Sequence, residues 1–327
     1  MIPLAELHCH LEGAAGPALV RRLAARNGVA LPETIFADGG RFAFTDFVDF
    51  LRVYDVAAGC IRTPDDYYDV TSAYLAACAR EGAIYVEVMS SPDHAAAAGM
   101  TYADHLEGIV AAIADAKRDH HIEGRIIVTC VRHFGPERAV EVARQVVADP
   151  HPSVVGFGMG GDESAYAATD FAPAFRLAHA SGLPCTVHAG EFGGPESIRA
   201  ALATLPVSRL GHGVRAVEDA DLVRELADRG VVLEVCPTSN IVTGVYGSYA
   251  AHPLRKLLDA GCRVTLNSDD PPYFGTTVGR EYRVAADEFG LSEGALVDLT
   301  RTAIEAGFAD DATKTNLLHR MGAWLPV

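Results

Sequence analysis

The chain has 327 residues, 49% of them hydrophobic, with 43 acidic against 27 basic side chains and a formal net charge of −16. That balance disfavours nucleic acid as a partner, because binding there depends on neutralising phosphates with Lys and Arg. No apolar run reaches the roughly 18 residues of a membrane span, and the N-terminus lacks the basic and apolar stretches of a secretion signal.

The first β-rich run covers 4–8 and leads into His8, Cys9 and His10. Side chains alternate faces along a strand, so the two histidines point one way and can grip a single metal ion while Cys9 faces elsewhere. A long segment from 13 to 83 follows, with helical patterns at 16–27, 44–58 and 65–81 that are expected to cap the mouth of the fold. Further strands are predicted at 84–89, 125–130, 154–158, 185–188, 209–211, 231–235 and 263–267. Amphipathic segments at 101–119, 136–148, 170–181, 217–229 and 250–260 separate them, and more helices are expected from 279 onward, closing the other side. Several of the strands are continuous apolar runs, as in a parallel sheet buried on both faces. Eight strands with intervening helices predict a (β/α)8 TIM barrel with extra helices after strand 1 and at the C-terminus, one domain over 1–327. An open doubly wound sheet fits less well, since no Gly-x-Gly-x-x-Gly turn follows the first strand. Seven cysteines without a Cys-x-x-Cys pair suggest reduced, buried thiols in a cytoplasmic protein.

Polar residues fall where these strands stop. His188 and Glu191 follow the fifth, His212 the sixth, and Asp269 and Asp270 the eighth. Barrel enzymes draw their catalytic groups from such strand ends. Taken singly, a His-Gly is usually a turn and an Asp-Asp-Pro a helix cap; together, in phase with the strands, they form a coherent set. His8, His10, His188 and Asp269 offer three imidazoles and a carboxylate, a donor set suited to one Zn²⁺ per chain, although Fe²⁺, Co²⁺ and Mn²⁺ remain compatible. No cysteine is expected in ligand register. Glu191 is placed to donate a proton to a substrate, His212 to steady or deprotonate the attacking water, and Asp270 to accept a hydrogen bond from a protonated ring nitrogen.

These residues resemble the adenosine deaminase family of metal-dependent amidohydrolases. The resemblance rests on ELHCHLEG (6–13), YVEVMSSP (85–92), VRH (131–133), GMGGDES (158–164), HAGE (188–191), RLGHGV (209–214), LEVCPTSN (233–240) and LNSDDPPYF (266–274), in order along the chain. It implies hydrolytic removal of the exocyclic amine from a 6-aminopurine on a single-zinc barrel, without an organic cofactor. By position, His8, His10, His188 and Asp269 resemble the zinc ligands, Glu191 the residue that protonates N1, and His212 the one that orients the attacking hydroxide. Asp270 resembles the partner of N7 and Gly161 the glycine whose N–H meets N3; His10 and Glu12 complete the expected substrate contacts.

Two departures bear on substrate. Met89 stands where many members carry arginine, and Glu12 stands where animal adenosine enzymes usually have the aspartate that reaches the ribose. Glutamate there is familiar from adenine deaminases, but Gly211 replaces their usual aspartate, and the 192–195 and 233–238 segments look more like the nucleoside enzymes. The expected substrate is therefore a small purine nucleoside, adenosine and 2′-deoxyadenosine, converted to inosine. Adenine or aminodeoxyfutalosine is the alternative, and an inactive nucleoside-binding homologue or a two-metal phosphoesterase fits less well.

The remaining histidines, including His94 and His133, are expected to be structural. Phe42, Phe44, Phe47 and Phe50 are expected either to line a lid or to pack within the inserted helices.

Overall fold

The computed structural model describes residues 2–322. Strands β1 (Leu4–His10), β2 (Ala83–Ser90), β3 (Glu123–Val131), β4 (Val154–Gly160), β5 (Cys185–Ala189), β6 (Val207–His212), β7 (Val232–Val235) and β8 (Arg263–Leu266) make one sheet in sequential order. Every paired neighbour is parallel. The last strand returns to the first just past its own end. The Asp269 N–H donates to the His8 carbonyl at 3.1 Å and the His10 N–H to the Asp269 carbonyl at 2.9 Å, bridging Cys9 and Asp269. The result is the expected barrel, with β1 two residues longer than the apolar run suggested because this seam extends its pairing.

Between β1 and β2 lie three inserted helices, α1 (Pro17–Asn27), α2 (Phe47–Ala58) and α3 (Pro64–Arg80). Their starts follow from local chemistry. Asp46 caps α2 by accepting from the Asp49 N–H, and Thr63 caps α3 ahead of a proline at the first helical position. Against α3 packs the helix Tyr102–His120, whose backbone approaches so closely that a Cβ on Gly108 would sit 1.8 Å from the Pro64 carbonyl oxygen.

Two apolar clusters hold the barrel. The larger takes in Leu4 and Cys9 with the surrounding helices; the smaller joins Ala5, Leu7 and Tyr85 to Val297, Ile304 and Leu317. Along β1, Leu4 and Cys9 join one cluster and Ala5 and Leu7 the other, and a register shift falls between Glu6 and Cys9, around His8. Within the barrel, the fully buried Arg209 pairs with Glu87 at 2.7 Å and with Glu234 at 2.6 Å. A buried arginine needs such partners, since an unpaired charge there is costly.

The helix Glu293–Ala306 packs on β8 and β1, so it belongs to the outer ring rather than closing the opposite side. The helix Pro195–Thr204 also joins the ring and was not anticipated, because Gly193 and Gly194 mask its start. The segment expected at 250–260 narrows to Leu254–Asp259, which follows Pro253. None of the helices among the described residues is long and apolar enough to cross a membrane.

Candidate active site and metal centre

The four expected ligands meet at one point. The Nε2 atoms of His10 and His188 lie 3.2 Å apart, and Asp269 Oδ1 stands 3.3 Å from His8 Nε2 and 3.4 Å from His10 Nε2. Zinc–nitrogen bonds of about 2.0–2.1 Å in a tetrahedron put neighbouring donors roughly 3.3 Å apart, so this spacing fits one cation. His8 Nε2 is buried and has no hydrogen-bond partner, leaving its lone pair aimed at the shared point. On two of the three imidazoles the other ring nitrogen is occupied: His8 Nδ1 is held by Glu234 at 2.9 Å, and His188 Nδ1 by the Met159 carbonyl at 2.7 Å. Such outer hydrogen bonds fix the tautomer with Nε2 free to coordinate. Ser239 Oγ donates to Asp269 Oδ2 at 2.7 Å, and Asp269 itself takes a left-handed backbone (φ 63°) that turns its side chain into the barrel mouth.

A second, overlapping donor set corrects the expectation that no cysteine is in register. Cys236, at the end of β7, lies with His8, His212 and Asp269 within 4.8 Å of one another. The all-oxygen-and-nitrogen set remains the better ligand group. Burial pushes the Cys236 thiol well above its ordinary value, which disfavours the thiolate a metal binds.

Around the metal point stand the acid and base candidates. His212 Nε2 is 3.6 Å from Glu191 Oε2 and 3.8 Å from Asp269 Oδ2. Asn240 Nδ2 lies 3.2 Å from His212 Nδ1, and Asn240 Oδ1 is in turn 3.1 Å from His252 Nε2. An amide donating to Nδ1 leaves the imidazole proton on Nε2, and burial lowers the His212 pKa to about 4, so the ring is neutral. Burial, then the nearby Asp269 and Glu163 carboxylates, raise Glu191 well above the ordinary carboxyl range. Both effects favour the protonated acid over the carboxylate.

Glu163 was quoted in a sequence motif without being given a role. Its buried carboxylate accepts from the backbone N–H groups of Gly190 (2.7 Å), Glu191 (3.1 Å), Phe192 (3.0 Å) and Gly193 (2.8 Å), and from Ser197 Oγ. One anion thereby shapes the whole turn that carries Glu191.

Glu12 is tied down in a similar way. Its carboxylate takes Ser90 Oγ at 2.6 Å, the Ser91 N–H at 3.1 Å, Tyr67 OH at 3.3 Å and Tyr54 OH at 3.5 Å. Asp270, pushed up by burial and by Asp269, leaves its buried Oδ1 without a partner. Gly161 lines the same cavity with φ 95°, and a Cβ there would press 2.8 Å from His133 Nδ1.

The cavity is lined in part by the inserted helix α2. Phe47 and Phe50 reach it, with Leu51 and Tyr54 of the same helix, whereas Phe42 stacks on Tyr273 at 4.0 Å and Phe44 packs on Phe50 and Phe274. Met89 also lines it. His94 and His133, expected to be structural, both face the cavity and share Asp55, a residue with no earlier role.

The sequence pattern of the adenosine deaminase family matches residues 3–324. The chain belongs to the adenosine deaminase family. A curated adenine deaminase from Chelativorans sp. is 51% identical over 98% of each chain. Among solved structures, an adenine deaminase from Arthrobacter aurescens superposes with a TM-score of 0.92 at 33% identity, covering 99% of both chains. An amidohydrolase from Burkholderia ambifaria with bound zinc gives 0.90 at 28% identity, covering 98% of this chain and 90% of its own. The family member described here is a metal-dependent hydrolase acting on aminopurines.

The expectation of adenosine as substrate is overturned. Seven further relatives, 43–49% identical over 96–97% of this chain, are adenine deaminases as well. The geometry explains the misreading. Gly211 lies behind the ligands, where a Cβ would come within 2.9 Å of His8 and 3.0 Å of His188, so its identity reflects packing against the metal histidines. The 192–193 backbone serves Glu163 and accepts from Arg215, and Glu234 of the 233–238 segment braces His8. Those signals report how the site is built and say little about which purine it takes.

Proposed function

We propose that the enzyme converts adenine and water to hypoxanthine and ammonia. The near full-length similarity to adenine deaminases carries this reading, and the restrained Glu12 carboxylate is consistent with it. With four donors already engaged, Glu12 is held against the end of β2 as part of the cavity wall rather than extended toward a sugar.

His8, His10, His188 and Asp269 would hold a divalent cation, which when bound would supply Lewis-acid activation of water. The chain's own groups do the rest. Glu191 donates its proton to ring N1, which withdraws electrons from C6 and makes it a better target for attack. His212 orients the incoming water between Glu191 and Asp269. Asp270 meets the five-membered ring through its unpartnered oxygen, and the Gly161 N–H meets N3. Phe47, Phe50 and Leu51 cover the apolar faces of the base and exclude solvent, leaving a few polar anchors to set its orientation.

The test is a substrate panel with the purified, metal-loaded protein. Adenine, adenosine, 2′-deoxyadenosine and adenosine 5′-monophosphate would be compared by kcat/KM, reading the absorbance change on formation of the 6-oxo product. Adenine is expected to be fastest by at least tenfold. Faster turnover of adenosine would reject the proposal.

A further inference from the structure

We infer that Asp55 is a specificity-determining residue whose charge keeps phosphate-bearing purines out of the cavity. The inference rests on the aminopurine chemistry above and adds which members of that class are refused.

Asp55 sits on α2, the inserted helix that also contributes Phe47, Phe50, Leu51 and Tyr54 to the wall. Its Oδ1 lies 3.0 Å from Nε2 of His94, on the short helix after β2, and its Oδ2 lies 3.7 Å from Nε2 of His133, just past β3. One carboxylate thus hydrogen-bonds to one imidazole and faces a second, from two successive strand ends. His133 Nδ1 faces the Asp162 N–H at 3.5 Å, which leaves Nε2 as its donor toward Asp55.

The charge inventory of the cavity gives this arrangement its meaning. Its lining contains Glu12, Asp55, Glu191, Asp269 and Asp270 but no Lys or Arg. Phosphate recognition calls for cationic or N–H donors. Outside the metal point and His212, the imidazoles of the cavity are His94, hydrogen-bonded to Asp55, and His133, which faces the same carboxylate at longer range. Burial opposes ionisation of Asp55, yet the His133 and His94 contacts hold its pKa down to about 2, so it stays anionic.

Position completes the argument. In a purine, N3 lies across the six-membered ring from C6, with N9 on the same far edge. A base with N1 at Glu191 and C6 toward the metal point therefore turns its N3–N9 edge away from the reacting groups. Gly160 abuts His10 and His188, while the next residue, Gly161, abuts His133. The Asp55–His133 pair thus stands one residue further along the end of β4, on the side where a substituent on N9 would extend. A phosphate there meets the Asp55 carboxylate, with His94 as its close partner and His133 Nε2 3.7 Å from it.

The experiment compares wild type with Asp55→Asn, Asp55→Ala and the double variant Asp55→Asn/His133→Ala. For each protein, kcat/KM is measured for adenine, adenosine and adenosine 5′-monophosphate, together with inhibition by inosine 5′-monophosphate. The readout is the monophosphate-to-adenosine ratio, which cancels any general loosening of α2. Both single variants are expected to raise that ratio and to tighten inhibition at least tenfold, and adding His133→Ala should reverse the gain. An unchanged ratio in folded Asp55→Asn overturns the inference. So does a gain confined to Asp55→Ala that adenosine shares equally, because bulk rather than charge would then be responsible. The adenine-to-adenosine ratio of wild type reads the proposed function separately, so the two can fail independently.

Discussion

The Glu191 backbone N–H donates to the Glu163 carboxylate at 3.1 Å, tying the proposed proton donor to an anion on the neighbouring strand end. The same carboxylate gathers the N–H groups of Gly190, Phe192 and Gly193. These contacts, with Ser197 leading, hold Glu163 below the usual glutamate range although burial opposes it. Replacing Glu163 with alanine strands several buried donors, each worth about 1–3 kcal/mol. Glu163→Ala should therefore lose about 3 kcal/mol or more of stability in denaturant titrations. Glu163→Gln keeps the shape but removes the anion, and should lower kcat about tenfold at unchanged metal content.

Glu191→Gln should retain metal and bind purine, yet lose at least about 10²-fold in kcat, as expected for removal of a general acid. The pH profile checks the same role. Glu191 has a raised pKa and acts in its protonated form, so wild-type turnover should fall as pH rises through that pKa. The residual activity of Glu191→Gln should lack this basic limb. A glutamine variant with the wild-type profile would assign the limb to another group.

Metal removal should act on both activity and stability. A cation that binds only the folded chain adds about 2.7 kcal/mol when its free concentration is 100 times Kd. Chelator treatment is expected to abolish turnover and lower Tm, with zinc restoring both. Asp269→Ala should reduce bound metal measured by elemental analysis; a fully loaded, active variant would remove Asp269 from the ligand set.

The contact of α2 with the barrel should weaken in acid. Asp55 has its pKa lowered from 3.8 to about 2. Its contribution is thus fully present above about pH 4 and is lost as pH falls through 2. The side chain is 38% exposed, so solvent screening leaves about 1 kcal/mol of the shift as stability. The stability difference between wild type and Asp55→Asn, followed by denaturant titration from pH 6 to pH 2, should shrink by that amount.

The barrel was legible because its strands are short apolar runs whose polar ends fall in phase, and His8, His10, His188 and Asp269 all sit at those ends. Position along a strand predicted that convergence without knowledge of side-chain distances. What stayed hidden depends on partners far apart in sequence. Nothing local marks Asp55 as the partner of His94 and His133, because an inserted helix must first fold over the mouth. Glu163 was hidden for the same reason: its role exists only once the turn at 190–193 comes to rest on it. Gly211 was visible but misread, since a glycine required by imidazole packing looks the same in sequence as one that shapes a substrate pocket.

The seam between β1 and β8 runs through the ligand cluster, with His8 and His10 on one lip and Asp269 on the other. A bound cation therefore acts as a rivet between the two ends of the sheet. During synthesis, the first histidines must wait for nearly the entire polypeptide before their carboxylate partner emerges, so metal capture belongs among the last events of maturation. A chain halted before residue 269 would carry most of the barrel and still have no working centre.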